Sequence, residues 1–505
     1  MNTPHSRHII QIVCACIWCL LASGIIFGFA ALKPVLIQEG VYADLCPSEY
    51  SKNHDEPCQD QDMKLNSMFT ISSALTNMMA LPVGYILDRK GPRICGLIGS
   101  FTLFTGCLMF TNASILKFYI DPYLLGYMAL AIAGPFVFIS CFQLANCFPK
   151  RSGSILAILT GSFDSSSALF LMYRLVYKTS QNKFSLSRFF KLYMIVPCFI
   201  LICQITIMPR SSYKTLGTVA KLGVEELDEN GNEINDETVT EVGQVTPDNY
   251  TEVFNEDQPL LERRKSNLEI VAESRLKEST GGIFGVLHEN TALEQIKSPW
   301  FYLMVLFAAI IMVRINYFIA TIRAQEEYLL DDKQRSVTLN HIFDILLPIG
   351  GVGAVPFIGL ILDNTTTINV IKLLVYISAL VGLSGVITHS FIINLSGIML
   401  FAVYRPFYYT VVSDYCSKVF GFTTFGTVYG LLTCLCGVFS ISQNLLDQWT
   451  HEIFNMDPRP VNLMLVTMTI IFGWALKKYM QDQLKQRTTE ASATETDEQV
   501  LLDNN

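Results

Sequence analysis

The chain has 505 residues, of which 51% are hydrophobic and only 16% are charged. This composition excludes a soluble protein of several domains and indicates a polytopic membrane protein. The formal net charge is −8, but thirteen acidic residues and no basic residue lie between Lys221 and Arg263. Because the acidity is confined to one segment, the charge does not indicate a nucleic-acid partner.

The first apolar segment, residues 9–31, contains no charged side chain. As a helix rising about 1.5 Å per residue, it is longer than the roughly 30 Å hydrocarbon core of a bilayer. It is also too long for the core of a signal peptide, so we predict that it is retained as the first span. Gly24 and Gly28 allow a neighbouring helix, or a substrate beside Phe27, to come close to its backbone.

Eleven further apolar segments follow, so the chain is predicted to be an all-α membrane protein with twelve spans in two sets of six. The first set covers residues 9–31, 64–87, 94–113, 123–146, 153–176 and 189–208. The second set covers residues 299–321, 338–362, 368–389, 392–412, 425–447 and 461–480. The predicted domains are two six-helix halves (1–208 and 298–480), an acidic cytosolic loop (209–297) and an acidic cytosolic tail (481–505).

Basic residues predict the orientation of the chain in the membrane. Lys and Arg are concentrated in the short loops on one side and after the last span, which places that side and both termini in the cytosol. The loop between spans 5 and 6 is an exception, since it also carries basic residues. The loop 209–297 is too polar to build a core, and we expect it to be disordered apart from short amphipathic pieces. Asn112 and Asn394 lie in weak glycosylation sequons on the outer side, close to the membrane.

The cysteines indicate neither a metal site nor a cofactor. Twelve of the 14 cysteines lie in apolar segments, where a free thiol behaves as a small hydrophobe. Cys434 and Cys436 are two residues apart on a predicted helix, so their side chains diverge. Cys46 and Cys58 share one polar loop, and a disulfide between them is expected if that loop faces the lumen or the outside.

A charged turn, GYILDRKGPR, connects spans 2 and 3. Gly84 permits close helix packing, Asp88 can cap or pair, Gly91 ends the helix, and Arg89 and Arg93 hold the turn on the cytosolic side. The spacing resembles the signature loop of the major facilitator superfamily. That resemblance implies that these residues latch the two half-bundles together during the conformational cycle.

A second copy of this pattern ends span 8, where Gly359 again lies four residues before Asp363. Equivalent positions in two six-helix halves indicate an internal duplication. The second copy lacks the basic cluster, because Asp363 is followed by Asn364 and Thr365. We therefore expect conformational control to depend mainly on the first copy.

Ionisable residues inside spans are costly, so they usually face a cavity or a partner. Asp164, Arg314 and Arg405 lie deep in their predicted spans, and whether they bind substrate or pair with one another stays open at this point. Span 4 lacks the arginine typical of proton-coupled members of the superfamily, although Asp164 remains a possible proton carrier. No nucleophile constellation or metal-ligand spacing indicates an enzyme.

Several stretches are similar to solute-carrier family 43. They are residues 143–149 with Arg151 and Gly153, residues 158–167, Ser298 and Pro299, the RINY segment 314–317, and residues 425–430. The resemblance covers most spans but neither the loop nor the termini. It implies a sodium-independent facilitator of large neutral amino acids, whereas one branch of that family moves purine nucleobases.

The predicted function is transport of a small organic solute, with a large neutral amino acid as the leading candidate, from a site near the midplane. The candidate substrate-binding residues are Gly24, Phe27, Gly28, Gln143, Asp164, Ser165, Ser166, Arg314, Asn316, Tyr317, Tyr404, Arg405 and Tyr408. Asp164 with a neighbouring serine would bind the ammonium group, and Arg314 or Arg405 the carboxylate. A purine nucleobase carrier and a transporter-like nutrient sensor, whose loop recruits partners, are the alternatives.

Two acidic dileucine motifs match sorting signals on the side that we assign to the cytosol. Their defining residues are Glu256, Leu260 and Leu261 in the loop and Asp497, Leu501 and Leu502 in the tail. Such motifs predict clathrin-adaptor complexes as partners. They favour a vacuolar or lysosomal membrane, followed by the plasma membrane.

Overall fold

The computed structural model describes residues 4–46, 58–148, 151–181, 183–209, 280–421 and 423–503, and within these ranges it contains helices and turns but no β-strand. Ten helices are long and apolar enough to cross a membrane. Two further bent pairs of helices raise the number to twelve if each pair forms one span. The predicted all-α fold is confirmed.

The N-terminal half contains spans 1 to 6, which are Arg7–Ser23 with Ile25–Gln38, Lys64–Lys90, Pro92–Thr111, Pro122–Cys147, Ser152–Thr179 and Leu186–Thr206. The C-terminal half contains spans 7 to 12, which are Pro299–Leu330, Lys333–Gly351 with Val355–Asn364, Thr367–Ser384, Phe391–Phe420, Phe425–Glu452 and Arg459–Arg487. Proline occupies the first turn of spans 3, 4 and 7, where its missing N–H leaves no bond unmade. The Asp121 side chain caps span 4, and the Ser298 side chain caps span 7.

Span 1 is bent by 46° at Gly24, between a π-helical and a 3₁₀ segment. A Cβ atom at Gly24 would lie 2.7 Å from the Phe163 carbonyl oxygen of span 5, and one at Gly28 would lie 2.4 Å from that of Ser167. These glycines therefore let the backbone of span 1 pack directly on span 5.

Side chains from neighbouring helices satisfy the backbone groups at this bend. The Gly24 N–H donates to Ser166 Oγ at 2.9 Å. The hydroxyls of Tyr127 and Tyr193 donate to the carbonyl oxygens of Ile26 and Leu21, each at 2.6 Å. Because lipid offers no replacement partners, such bonds are what permits an irregular helix inside the bundle.

The predicted pairing of cysteines is present at one end of the N-terminal half. Cys46 and Cys58 form a disulfide with a Cα–Cα distance of 5.8 Å. Nearby, the Tyr42 hydroxyl donates to Asp121 at 2.7 Å, and Glu39 Oε1 accepts a hydrogen bond from the Leu186 N–H at 2.8 Å. Burial raises the pKa of Glu39, although the bond from Leu186 opposes this shift. These contacts tie the loop after span 1 to spans 4 and 6.

The structure disagrees with the prediction that Asn394 is a glycosylation site, because the Asn394 side chain is buried within span 10 and donates to Glu326 Oε2 at 3.0 Å. The other predicted site, Asn112, is exposed. The end of the predicted loop, residues 280–297, forms turns and the short helix Ala292–Lys297, which is compatible with the short ordered pieces expected there. The acidic dileucine motif of the loop lies outside the described residues. The acidic dileucine motif of the tail lies on the helix Arg459–Asp503, whose side chains are described as far as Arg487.

Spans 2 and 11 form the first contact between the halves. A Cβ atom at Gly84 would lie 1.7 Å from the Gly426 carbonyl oxygen, and one at Gly430 would lie 2.3 Å from the Ala80 carbonyl oxygen. Beside them, the Asp88 carboxylate accepts hydrogen bonds from the N–H groups of Gly426 (2.9 Å) and Thr427 (2.6 Å). Asp88 thus caps the amino end of span 11, where an anion is favoured by unpaired N–H groups and by the helix dipole.

Spans 5 and 8 repeat this arrangement at the second contact. A Cβ atom at Gly359 would lie 2.7 Å from Ser154 Oγ. The Asp363 carboxylate accepts a hydrogen bond from the Ser154 N–H at 3.3 Å and another from its hydroxyl, so it caps the amino end of span 5. We call these two contacts the latches. Both carboxylates cap a helix end of the opposite half without the basic cluster, and the expectation that conformational control depends mainly on the first copy stays a prediction.

The arginines of the charged turn make contacts within the N-terminal half. Arg93 donates to the Met208 carbonyl oxygen, with Nη2 at 2.5 Å. Arg89 lies over the Tyr85 ring at 4.3 Å. Gly91 adopts a φ of 81°, which suits glycine and ends span 2. The arginines therefore support the turn, whereas Gly84 and Asp88 reach the other half.

We predict that Gly430→Ala lowers the melting temperature of the purified protein. Its methyl group would lie 2.3 Å from a backbone oxygen, and overpacking of this kind costs about 1–3 kcal/mol. Gly353→Ala is the matched control, since a Cβ atom there has no neighbour within 4 Å. An unchanged melting temperature for Gly430→Ala would contradict the close approach of spans 2 and 11.

We also predict that Asp88→Asn and Asp363→Asn destabilise the protein to a similar extent. Each substitution removes a negative charge from a helix amino end and weakens a cap, at a cost of about 1 kcal/mol. Differential scanning fluorimetry of both variants, with the exposed Asp482→Asn as control, measures this. A much larger loss of stability in Asp88→Asn than in Asp363→Asn would instead support the sequence-based expectation that the first copy is the more important of the two.

Candidate functional site

A buried ion pair joins the two halves near the middle of the bundle. Arg405 Nη2 lies 3.3 Å from Asp164 Oδ1, and the two side chains are 6% and 1% exposed. Asp164 lies near the midpoint of span 5, and Arg405 lies near the midpoint of span 10. The two charges are therefore placed near the midplane of a membrane that these spans cross.

This ion pair leaves much of its hydrogen-bonding capacity unused. Neither carboxylate oxygen of Asp164, nor Nε of Arg405, has a hydrogen-bond partner in the described part of the chain. The hydroxyl of Tyr409, one turn beyond Arg405, approaches the guanidinium of Arg405. Buried charges usually have these positions filled. The open positions mark Asp164 and Arg405 as groups able to accept a polar ligand.

The second bend of the bundle lies beside Asp164. Span 8 turns by 47° between Gly351 and Val355, and the Ser165 hydroxyl donates to the Pro348 carbonyl oxygen at 3.1 Å. A Cβ atom at Gly351 would lie 2.9 Å from Asp164 Cβ. The ion pair is thus held where spans 5, 8 and 10 meet, and where span 8 has an irregular backbone.

A row of aromatic rings begins at the residue before Asp164. The ring of Phe163 lies 5.9 Å from Phe27 and 4.5 Å from Phe138. From Phe138 the row continues to Phe142 at 4.6 Å and then to Tyr429 at 5.3 Å. The row runs from span 1 through spans 5 and 4 to span 11, so it also crosses between the halves. Phe27 and Phe163 are partly exposed, so part of this aromatic row is not covered by other side chains.

Four of the predicted binding residues are instead engaged inside the C-terminal half. Arg314 Nη1 and the Tyr404 hydroxyl both donate to Ser378 Oγ, at 2.9 and 2.8 Å. The Tyr317 hydroxyl lies 2.8 Å from Thr450 Oγ1. The Tyr408 hydroxyl donates to the Ala308 carbonyl oxygen at 2.8 Å. These contacts place the three hydroxyls and Arg314 Nη1 in the packing among spans 7, 9, 10 and 11, whereas Arg314 Nη2 has no hydrogen-bond partner in the described part of the chain.

The remaining predicted residues divide between structure and site. Gly24, Gly28 and Ser166 hold spans 1 and 5 together, as described above, so a substrate does not need to explain them. Gln143 is buried in the 3₁₀ segment Phe142–Cys147 of span 4, and Asn316 is partly buried on span 7. Phe163 and Tyr409 were missed, although each lies next to, or one turn from, a predicted charged residue. Within the described ranges, no group of three His, Cys, Asp or Glu residues is arranged to bind a metal.

No protein-family model matches the chain. Protein FMP42 of Saccharomyces cerevisiae is 57% identical over 493 residues, which cover 96% of this chain and 97% of that protein. Large neutral amino acids transporter small subunit 3 of Mus musculus is 33% identical over 168 residues, covering 31% of this chain and 29% of that protein. Equilibrative nucleobase transporter 1 of Bos taurus is 32% identical over 168 residues, covering 32% of this chain and 33% of that protein.

The solved structure of XylE, a proton:xylose symporter of the major facilitator superfamily, aligns with a TM-score of 0.61 at 12% identity. The alignment covers 94% of this chain and 96% of that chain. At this identity the likeness shows the fold, which agrees with two six-span halves that meet at equivalent latches. The protein is a membrane transporter with the major facilitator fold, and it belongs to the same family as yeast Protein FMP42.

Proposed function

We propose that the protein carries large neutral amino acids by alternating access, with Asp164 and Arg405 binding the charged groups of the substrate. The observation that carries this proposal is their buried ion pair, at 3.3 Å. An amino acid at neutral pH is a zwitterion, so its ammonium group matches Asp164 and its carboxylate matches the guanidinium of Arg405.

The energetics of the ion pair favour a substrate with both charges. Removing one partner of a buried ion pair costs about 3–5 kcal/mol, because a charge is left uncompensated. A zwitterion inserted between Asp164 and Arg405 compensates both charges and fills the open hydrogen-bonding positions on each. A solute with only one charge would leave one side of the site unpaired.

The aromatic row supports a large apolar substrate side chain. Phe163 directly precedes Asp164 in the sequence, and its ring contacts those of Phe27 and Phe138. Apolar or aromatic groups gain from burial against such rings, by about 25 cal/mol for each Å² removed from water. Mouse Large neutral amino acids transporter small subunit 3 is a relative over part of the chain, which agrees with this substrate class.

The ion pair also suggests how binding is coupled to movement. Asp164 belongs to the N-terminal half and Arg405 to the C-terminal half. A bound zwitterion would therefore bridge the two halves, which move relative to each other during alternating access. The latches lie at the end of the bundle that carries Arg89, Lys90 and Arg93, and we assign this end to the cytosol. The described conformation is then the one whose cytosolic side is held closed.

A purine nucleobase is the second candidate substrate, favoured by the similarity to bovine Equilibrative nucleobase transporter 1. The aromatic row could stack a base, and Asp164 could accept its N–H groups. A neutral purine has no carboxylate for Arg405, however, so it explains only half of the ion pair.

For the location, we propose a vacuolar or lysosomal membrane, because both dileucine motifs lie on the side assigned to the cytosol, where clathrin adaptors would bind them.

We predict that Asp164→Asn and Arg405→Gln each reduce leucine counterflow in liposomes by more than roughly tenfold, since losing a charged hydrogen-bonding partner costs about 1.5–3 kcal/mol. The double variant has no uncompensated buried charge, so it should regain thermal stability but not transport. Asp482→Asn, which alters an exposed carboxylate, is the control. Recovery of transport in the double variant would show that the ion pair stabilises the structure and does not bind the substrate.

We predict that unlabelled leucine, phenylalanine and methionine compete with labelled leucine in the wild-type protein, whereas adenine does not. The reason is that only a zwitterion engages Asp164 and Arg405 together. Counterflow measured with each competitor, with and without a proton gradient, distinguishes the two substrate classes. Counterflow of labelled adenine without counterflow of labelled leucine would favour the nucleobase carrier, and no flux of any amino acid would rule out the proposed substrate.

A further inference from the structure

Residues 280–297 lie across the C-terminal half at the same end as the latches, and we call this segment the strap. The N–H groups of Gly285 and Leu287 donate to the carbonyl oxygens of Lys418 and Val419, each at 3.0 Å. These oxygens belong to the last turn of span 10, where helical carbonyls lack partners of their own. The strap therefore completes the end of span 10.

Gln295 is the central contact of the strap, and it is fully buried. Its Nε2 donates to the carbonyl oxygens of Leu287 (2.7 Å), Asn290 (3.2 Å) and Phe420 (3.0 Å). Its Oε1 accepts a hydrogen bond from Thr424 Oγ1 at 2.6 Å. One side chain thus ties the strap to both ends of the turn between spans 10 and 11.

The residues held by the strap adjoin both latches. Thr424 is two residues before Gly426, whose N–H donates to Asp88. Lys418 donates from Nζ to the Leu362 carbonyl oxygen at 3.4 Å, and Leu362 precedes Asp363. The strap therefore contacts the chain beside the capped end of span 11, and through Lys418 it reaches the end of span 8 that caps span 5.

The strap also contacts the end of span 12 and the turn after span 8. Arg487, at the end of span 12, donates to the Val286 carbonyl oxygen at 3.1 Å. A Cβ atom at Gly281 would lie 3.2 Å from Thr366, in the turn after span 8. The strap consequently bridges three ends of the C-terminal half, namely the turn after span 8, the turn before span 11 and the end of span 12.

We propose that the strap is a conformational control element that stabilises the latched state by fixing the helix ends at which the latches form. A cap requires its carboxylate and the opposing N–H groups to be positioned within hydrogen-bonding distance. Fixing the turn before span 11 and the end of span 8 lowers the entropic cost of forming both caps. Release of the strap therefore weakens both latches and favours opening of this end, whatever the substrate is.

Hydrogen exchange followed by mass spectrometry on the full-length protein tests this proposal. Gln295→Glu keeps the shape of the side chain but replaces the amide donor, which faces three carbonyl oxygens. We expect the amides at the amino ends of spans 11 and 5, including Gly426, Thr427 and Ser154, to exchange about two- to thirteenfold faster, as losing a net 0.5–1.5 kcal/mol implies. Gln334→Glu, the same change at an exposed position, should leave them unchanged.

Two results would overturn the proposal. One is unchanged exchange at both capped ends while the strap itself exchanges faster, because the strap would then be uncoupled from the latches. The other is a uniform increase through spans 7 to 12, which would indicate general loss of packing. If Gln295→Glu does not fold, Thr424→Val removes the hydrogen bond from Thr424 Oγ1 to Gln295 Oε1. This variant should accelerate hydrogen exchange at the amino end of span 11.

Discussion

The close contact of glycine backbones across the two halves is the constraint on which this structure depends. In lipid, apolar side chains gain little from association, so helices are held together by close packing and by hydrogen bonds. Gly84 lies against Gly426 and Gly359 against Ser154, and only this short distance lets Asp88 and Asp363 reach the helix ends of the opposite half. The latches are thus a product of small residues as much as of charge.

The two bent spans follow from the same constraint. Span 1 bends where Gly24 and Gly28 lie against span 5, and span 8 bends where Gly351 lies beside Asp164. Each bend frees backbone groups that need partners from neighbouring helices. Ser165 and Ser166, adjacent on span 5, supply one partner to each bend. Span 5 therefore connects both irregular helices, one latch and the buried ion pair.

Helix end groups recur as the means of control. Asp88 and Asp363 cap the amino ends of helices in the opposite half, whereas the strap pairs with the carboxyl end of span 10. Both kinds of contact use the backbone groups that a helix leaves unpaired. Because each interaction is worth only about 1 kcal/mol, the latched state can be stable and still open during transport.

The apolar runs of the sequence predict twelve spans, and its motifs predict the glycine and aspartate positions of both latches and the intramembrane charges Asp164 and Arg405. These follow from local physics: the length of apolar helices, the cost of charge in lipid, and the residues that end helices. Which of those side chains meet depends on the packing of helices that are distant in the sequence. The sequence offered Arg314 and Tyr317 as binding residues, but it could not show that Arg314 Nη1 contacts Ser378 and that the Tyr317 hydroxyl contacts Thr450. Nor could composition show that residues 280–297 fold, because their partners lie more than a hundred residues away, on the ends of spans 10 and 12.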